Sequence, residues 1–254
     1  MNTPVLQIKN LGIDFGGLTA VNNLNMEVHA HEIIGLIGPN GAGKTTVFNM
    51  LTKVYDPSRG TILLNGQDIA KMDTVAVNKA GIARTFQNIR LFQNLSVIDN
   101  VKAGMNNQFV YSIADMLFHT RKRRSNEEMI EEEALKLLKI FHLDDLKDTE
   151  AGSLPYGAQR KLEIARALAS EPKLLLLDEP AAGMNPQETE ELMETIRFVR
   201  DTFDICILLI EHDMNLVMNI CERIYVLNYG MLLAKGSPEE IRNNEKVIKA
   251  YLGD

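Results

Sequence analysis

Residues 32–46 read EIIGLIGPNGAGKTT. An apolar burst, EIIGLIG, runs directly into a glycine-rich turn and then into residues suited to a helix, so the stretch reads as strand, loop and helix in succession. The turn fits G-x-x-x-x-G-K-[ST] in full, from Gly38 to Thr45. Glycines let a backbone wrap closely around phosphate oxygens, and the N-terminus of the following helix offers unpaired N–H groups. Gly38, Asn40, Gly41, Ala42, Gly43, Lys44, Thr45 and Thr46 are therefore the candidate phosphate-binding residues. Lys44 brings a positive charge toward the outer phosphates, and the Thr45 hydroxyl suits a magnesium ion.

Two further apolar bursts, LLLL at 174–177 and ICILLI at 205–210, have the continuous hydrophobicity of strands buried on both faces in a parallel sheet. Hairpins are expected at TILLNGQDI (61–69), turning at Asn65 and Gly66, and at IYVLNYGMLLAKG, turning around Asn228 and Gly230. Helical spacing is clear in EEMIEEEALKLLKIF, where Ile130, Ala134, Leu137, Leu138 and Phe141 share a face, and in ETEELMETIRFVR through Leu192, Ile196 and Val199. No strand burst occurs between about 88 and 170, which reads as a helical insert within an α/β core. Its RKRR run at 121–124, before acidic residues at 127–133, reads as a solvated face.

The 254 residues are 45% hydrophobic and 24% charged, with a net charge of −7, so no global pull toward nucleic acid or anionic lipid is expected. Cys206 and Cys221 have no metal-ligand spacing and form no disulfide framework, as suits a reducing cytosol. The N-terminal stretch has neither a basic leader nor an apolar signal region, and no apolar run reaches the ~20 residues of a spanning helix.

A phosphate loop needs a carboxylate for magnesium and a base for attacking water. LLLLDEP supplies both at the end of a strand: Asp178 for the metal and Glu179 for the water. A guanine-reading Asn-Lys-x-Asp is absent, since NKAG at 78–81 lacks the aspartate. A paired acid ending the strand argues for hydrolysis rather than small-metabolite kinase chemistry.

GPNGAGKTT, the glutamine of RTFQN, SLPYGAQRKLEIARAL, LLLLDEP and LLIEHD occur in that order, and the whole chain resembles the nucleotide-binding domain of ABC transporter ATPases. The resemblance implies a P-loop NTPase of α/β class: a mainly parallel RecA-like core sheet with an antiparallel β subdomain (about 1–87 and 171–254) and an inserted helical subdomain (about 88–170) carrying the signature loop. ATP and Mg2+ are the implied cofactors. Phe15 would stack on adenine with Val21 flanking it, Gln87 would reach magnesium and water, and His212 would contact the γ-phosphate. His29, His31, His119 and His142 lack such context and read as surface or packing residues.

In this family two domains sandwich ATP between one phosphate loop and the other's signature loop, usually Leu-Ser-Gly-Gly-Gln. Here the matching positions are Leu154, Pro155, Tyr156, Gly157 and Ala158, followed by Gln159, so the serine hydroxyl, the first glycine and the glutamine amide of the usual loop are missing and only Leu154 and the second glycine, Gly157, survive. Pro155 suits the first helical turn. Loss of a side-chain hydrogen bond to a charged phosphate is worth about 1.5–3 kcal/mol. The departure points to a heterodimer with a paralogous ATP-binding subunit, and Asn185 departs likewise from the aspartate usual in the dimer-facing loop. FGGLTAVNNLN, DEPAAGMNP, LLIEHDM, the closing AYLGD and the insert around 105–130 are similar to the larger ATP-binding subunits of bacterial branched-chain amino-acid importers. That likeness implies two membrane permeases, a periplasmic binding protein acting indirectly, no nucleic acid, and a position on the cytoplasmic face of the inner membrane. A urea-type importer subunit, a lipopolysaccharide-export ATPase and a soluble ABC ATPase are the alternatives.

Overall fold

The computed structural model describes residues 3–105 and 121–252. The chain divides into two units, Met1–Gln87 with Lys173–Asp254, and Asn88–Pro172. The strands of the first unit are β1 (Leu6–Phe15), β2 (Leu18–Val28), β3 (Ile33–Ile37), β4 (Arg59–Leu64), β5 (Gln67–Asp68), β6 (Ile82–Arg84), β7 (Leu174–Asp178), β8 (Cys206–Ile210), β9 (Arg223–Asn228) and β10 (Met231–Gly236). They form a six-stranded sheet in the order β10-β9-β3-β8-β7-β6 and a four-stranded sheet in the order β2-β1-β4-β5.

The three apolar bursts become β3, β7 and β8, buried at every position and paired in parallel. Each wholly buried leucine or isoleucine contributes roughly 1.5–3 kcal/mol, so three such strands fix the centre of the sheet. Functional polar side chains consequently emerge only at or beyond the strand ends, Asp178 being the last residue of β7. Asn65 and Gly66 both take positive φ, 48° and 79°, and turn β4 into β5. In the β9–β10 hairpin the turn residues are Tyr229 and Gly230, with φ of 47° and 74°, while Asn228 closes the strand. β1 and β2 pair antiparallel with several register shifts, and their exposed polar positions leave no unbroken apolar run.

Helices α1 (Lys44–Leu51) and α2 (Thr74–Ala80) follow β3 and β5. The second unit is helical among the described residues, with α3 (Val97–Gly104), α4 (Arg121–Ile140) and α5 (Tyr156–Leu168). Ala134, Leu137, Leu138 and Phe141 are buried, as their spacing predicts. Helices α3 and α5 approach closely at Gly104, where an added Cβ would lie 2.3 Å from the Arg166 carbonyl oxygen. His119, the insert between 106 and 120, the side chains of the 121–124 basic run and the final Gly253 and Asp254 lie outside the described residues.

The first unit resumes with α6 (Pro186–Phe203), α7 (Met214–Ile220), α8 (Pro238–Arg242) and α9 (Glu245–Leu252). Leu192, Ile196 and Val199 of α6 are buried. Asn185 has a local role that its sequence context did not reveal. Its side chain accepts from Gln187 N and Glu188 N, while Glu188 reaches back to Asn185 N, a complete capping box with Pro186 at the first helical position. Among the described residues no helix is long and apolar enough to cross a membrane. Both cysteines are buried thiols, and burial pushes that of Cys206 up to about 12.

The cap gives a stability prediction. Asn185→Ala should cost about 1 kcal/mol in urea unfolding, whereas Asn185→Asp should stay within about 0.5 kcal/mol of the parent, because either side chain supplies the acceptor. Equal stability of all three proteins would contradict the assigned cap.

Candidate nucleotide site

The phosphate loop follows β3 on a path that only glycine permits at two points. Gly38 has φ 150° and an added Cβ would meet the Leu227 carbonyl oxygen at 2.1 Å; Gly43 has φ 102° and would meet that of Ala20 at 2.8 Å. The loop is closed by Ala42 N donating to Pro39 O at 3.1 Å and held from outside by Gly230 N donating to Ala42 O at 3.0 Å. Gly43 precedes α1 without any side-chain cap, so the first-turn N–H groups are not occupied by one. Lys44 is buried and donates to Gly38 O at 2.7 Å and Pro39 O at 3.1 Å. Burial pushes its pKa down, opposed by the negative charges of Glu179 and Asp178.

A cleft of about 380 Å³ opens over this loop, lined by residues 40–46 together with Leu18, Thr19, Ala20, Glu179, His212, Tyr229 and Gly230. Phe15 sits opposite Leu18 at the β1–β2 turn, 44% exposed, with its ring edge-on to Tyr55 at 5.2 Å. Val21 is a correction. Its side chain is 0% exposed and belongs to the hydrophobic core, because alternation along β2 turns it inward. Ala20, on the opposite face, lines the cleft instead.

Glu179 is the hub. It directly follows β7, and its Oε2 accepts from Gln87 Nε2 at 2.6 Å while its Oε1 lies 2.9 Å from His212 Nε2. The loops after β6, β7 and β8 thus converge on one carboxylate. Asp178, one residue earlier, points its Oδ2 to Arg84 Nη2 at 2.7 Å, each side chain only 7% exposed. Arg84 also donates to Asn49 Oδ1 of α1 at 2.8 Å and lies over the Phe48 and Phe86 rings. The motif RTFQN drew attention to its glutamine, whereas the arginine three residues earlier ties three elements together. Glu211 is another buried acid that spacing alone did not flag. Burial and the nearby charge of Glu179 push its pKa up, against hydrogen bonds from the Ala181, Asp213 and His212 amides.

In the second unit Pro155 is the N-cap of α5, with ψ 151°, rather than its first helical residue. Tyr156 is exposed, Gly157 and Ala158 are half-buried, and Gln159 Nε2 turns back to donate to Leu154 O at 2.8 Å. Behind this segment Arg160 and Glu163 form a wholly buried ion pair at 2.7 Å, which no apolar pattern announces.

The donor chemistry fits magnesium accompanied by phosphates. Thr45, Asp178 and Gln87 offer hard oxygens, and among the described residues no group of three or more His, Cys, Asp or Glu forms a cage of its own. The glycine-lined loop and a lysine held by carbonyls alone fit a polyphosphate equally well.

Removing one partner of the buried Arg84–Asp178 pair leaves the other charge uncompensated. Arg84→Met should cost about 3–5 kcal/mol in urea unfolding, and adding Asp178→Asn should restore at least half of it. Additive losses in the double variant would contradict the pairing.

Comparisons with known proteins agree with this geometry. Residues 21–182 match the ABC transporter family model, and residues 231–254 match one described as branched-chain amino acid ATP-binding cassette transporter. The chain is 48% identical over 255 residues to the high-affinity branched-chain amino acid transport ATP-binding protein LivG of Escherichia coli, covering 100% of both. It is 36% identical to the lipopolysaccharide export system ATP-binding protein LptB of the same species, covering 98% of this chain and 97% of that one. The ADP conformation of MJ1267, an ATP-binding cassette of an ABC transporter, superposes with a TM-score of 0.86 at 29% identity, covering 99% of this chain and 100% of that one. A phosphate loop and a strand-end acid pair in one cleft, on a chain alike over its whole length to such cassettes, place this protein among the ATP-binding subunits of the ABC transporter family.

Proposed function

We propose that this chain is the ATP-binding and hydrolysing subunit that powers a bacterial importer of branched-chain amino acids. The observation that carries the reading is the carboxylate of Glu179, held between Gln87 and His212 at the mouth of the phosphate-loop cleft. Full-length likeness to LivG and the C-terminal match supply the transported class. The lower identity to LptB makes lipopolysaccharide export the weaker alternative.

In this reading the phosphate loop wraps the polyphosphate, and Lys44 leaves its carbonyl partners for a phosphate oxygen as charge develops. Exchange of two neutral acceptors for an anionic one strengthens the hydrogen bonds. Glu179 accepts the proton of a water attacking in line with the γ-phosphate, and His212 orients both the carboxylate and the γ-phosphate. Gln87 holds the second carboxylate oxygen through its amide nitrogen. Thr45, Asp178 and Gln87 would hold magnesium, whose chemistry is neutralisation of the phosphate charge. Phe15, exposed and paired across the β1–β2 turn with the cleft-lining Leu18, would offer the adenine a π-face.

Residues 155–159 would meet the nucleotide of a paired subunit. The start of α5 carries no side-chain cap and its helix dipole favours an anion, while the serine hydroxyl of the usual loop is missing. A paralogous ATP-binding subunit with a full signature would complete the site built on Lys44. Two permeases would hold the pair at the cytoplasmic face of the inner membrane, with a periplasmic binding protein delivering solute.

Glu179→Gln should keep ATP binding within about threefold and lower turnover by about 10²–10⁴-fold, the usual worth of a positioned general base. Purified gently with ATP and magnesium, the tagged variant should bring down a different ATPase and two polytopic permeases. Unchanged turnover would remove Glu179 from its role, and recovery of the chain as a homodimer would contradict the heteromeric importer.

A further inference from the structure

Strands β7 and β8 stay in parallel register to Asp178 and Ile210, and the ladder continues one step further through Glu179 N to Ile210 O at 2.9 Å. There the chains part. Glu179 adopts φ 47°, a left-handed conformation unfavourable for a side chain of this kind, and Pro180 has no N–H to donate. The next donors are Ala181 N on one side and His212 N and Asp213 N on the other.

The carboxylate of Glu211 takes all three. Its Oε1 accepts from Ala181 N at 2.7 Å, and its Oε2 accepts from His212 N at 2.9 Å and Asp213 N at 3.3 Å. Glu211 is 3% exposed, and its hydrogen-bond partners among the described residues are backbone amides rather than a lysine or arginine. A carboxylate buried without a counter-ion is an expensive choice for stability alone. Its position is informative: it bridges the two strand-end loops just behind the residues that meet across them. Asp213, itself held by this bridge, caps α7 through Asn215 N and Leu216 N, so the loop carrying His212 is anchored at both ends.

We infer that Glu211 is a positioning residue for hydrolysis, replacing the missing rungs of the β7–β8 ladder and thereby setting the 2.9 Å contact between Glu179 and His212. The inference rests on the hydrolytic roles proposed above for those two residues. It also gives the loop from 180 to 185 a direct mechanical link to His212, since Ala181 both donates to Glu211 and accepts from Met184 N at 3.0 Å.

The test uses the full chain with Glu211→Gln, which keeps the volume but opposes an amide NH2 to a backbone N–H. Loss of one hydrogen bond to a charged group predicts a kcat about 10- to 100-fold lower with the KM for ATP within about threefold. The ring-nitrogen resonances of His212 should move toward those seen in Glu179→Gln, with or without nucleotide. In a His212→Ala background, followed by single-turnover kinetics, Glu211→Gln should add less than about a twofold loss. Glu211→Asp, which keeps the charge but is one methylene too short to span the loops, should show the same split between kcat and KM. Wild-type kcat and unmoved His212 resonances in both variants would overturn the inference, as would an undiminished loss in the His212→Ala background. If Glu179→Gln and His212→Ala themselves turned over at the wild-type rate, the hydrolytic assignment would fail and this inference with it. If those two lose turnover and the Glu211 variants do not, Glu211 alone is misassigned.

Discussion

The parallel register between β7 and β8 is the constraint on which the site depends. Five buried residues on each strand align Asp178 with Ile210, and the backbone bond from Glu179 N to Ile210 O carries that alignment into the loops. Because the central strands are apolar up to their last residues, where β7 ends in Asp178, chemistry can emerge only at their carboxyl ends, the place where open α/β sheets bind ligands. The strand order β3-β8-β7-β6 then sets the loops beginning at Gly38, Glu211, Glu179 and Thr85 side by side. A slip of one residue in either strand would separate Glu179 from His212.

Charge is managed in the same layered way. Arg84 pairs with Asp178 behind the cleft, backbone amides hold Glu211, and Gln87 and His212 hold Glu179 at its edge. Only Lys44 rests on carbonyl oxygens of its own loop, the arrangement most readily exchanged for an anionic ligand. The rigid part of the site is thus built on charged groups with fixed partners, and the part that meets nucleotide is the glycine loop and its lysine. An ATPase that must bind, hydrolyse and release on every transport cycle requires such a division between a fixed base and an adaptable phosphate grip.

The features legible in the sequence were those whose physics is local. Fully buried parallel strands leave continuous apolar bursts, and the loop at 38–46 combines strand, glycines, lysine and helix in one short run. Asn65 and Gly66 announced their turn because both must take positive φ. Other features depend on distant partners. β1 and β2 were hidden by polar residues on their exposed faces and by register shifts. Val21 was misplaced for a related reason: the face of β2 that meets the cleft is decided by pairing, which assigns it to Ala20. Arg84, Glu211 and the Arg160–Glu163 pair would ordinarily read as solvated charges, and only the three-dimensional arrangement shows them buried. Asn185 read as a departure from a family pattern, yet its side chain completes a capping box.

The most direct measurement of the central claim is an experimental structure of the full chain carrying Glu179→Gln with ATP and magnesium. The account predicts the polyphosphate within the loop from Gly38 to Thr45, Lys44 Nζ moved from the Gly38 carbonyl to a phosphate oxygen, and residue 179 facing the γ-phosphate beside His212. Nucleotide bound elsewhere, or a loop filled while Lys44 still rests on Gly38 and residue 179 lies away from the γ-phosphate, would contradict it.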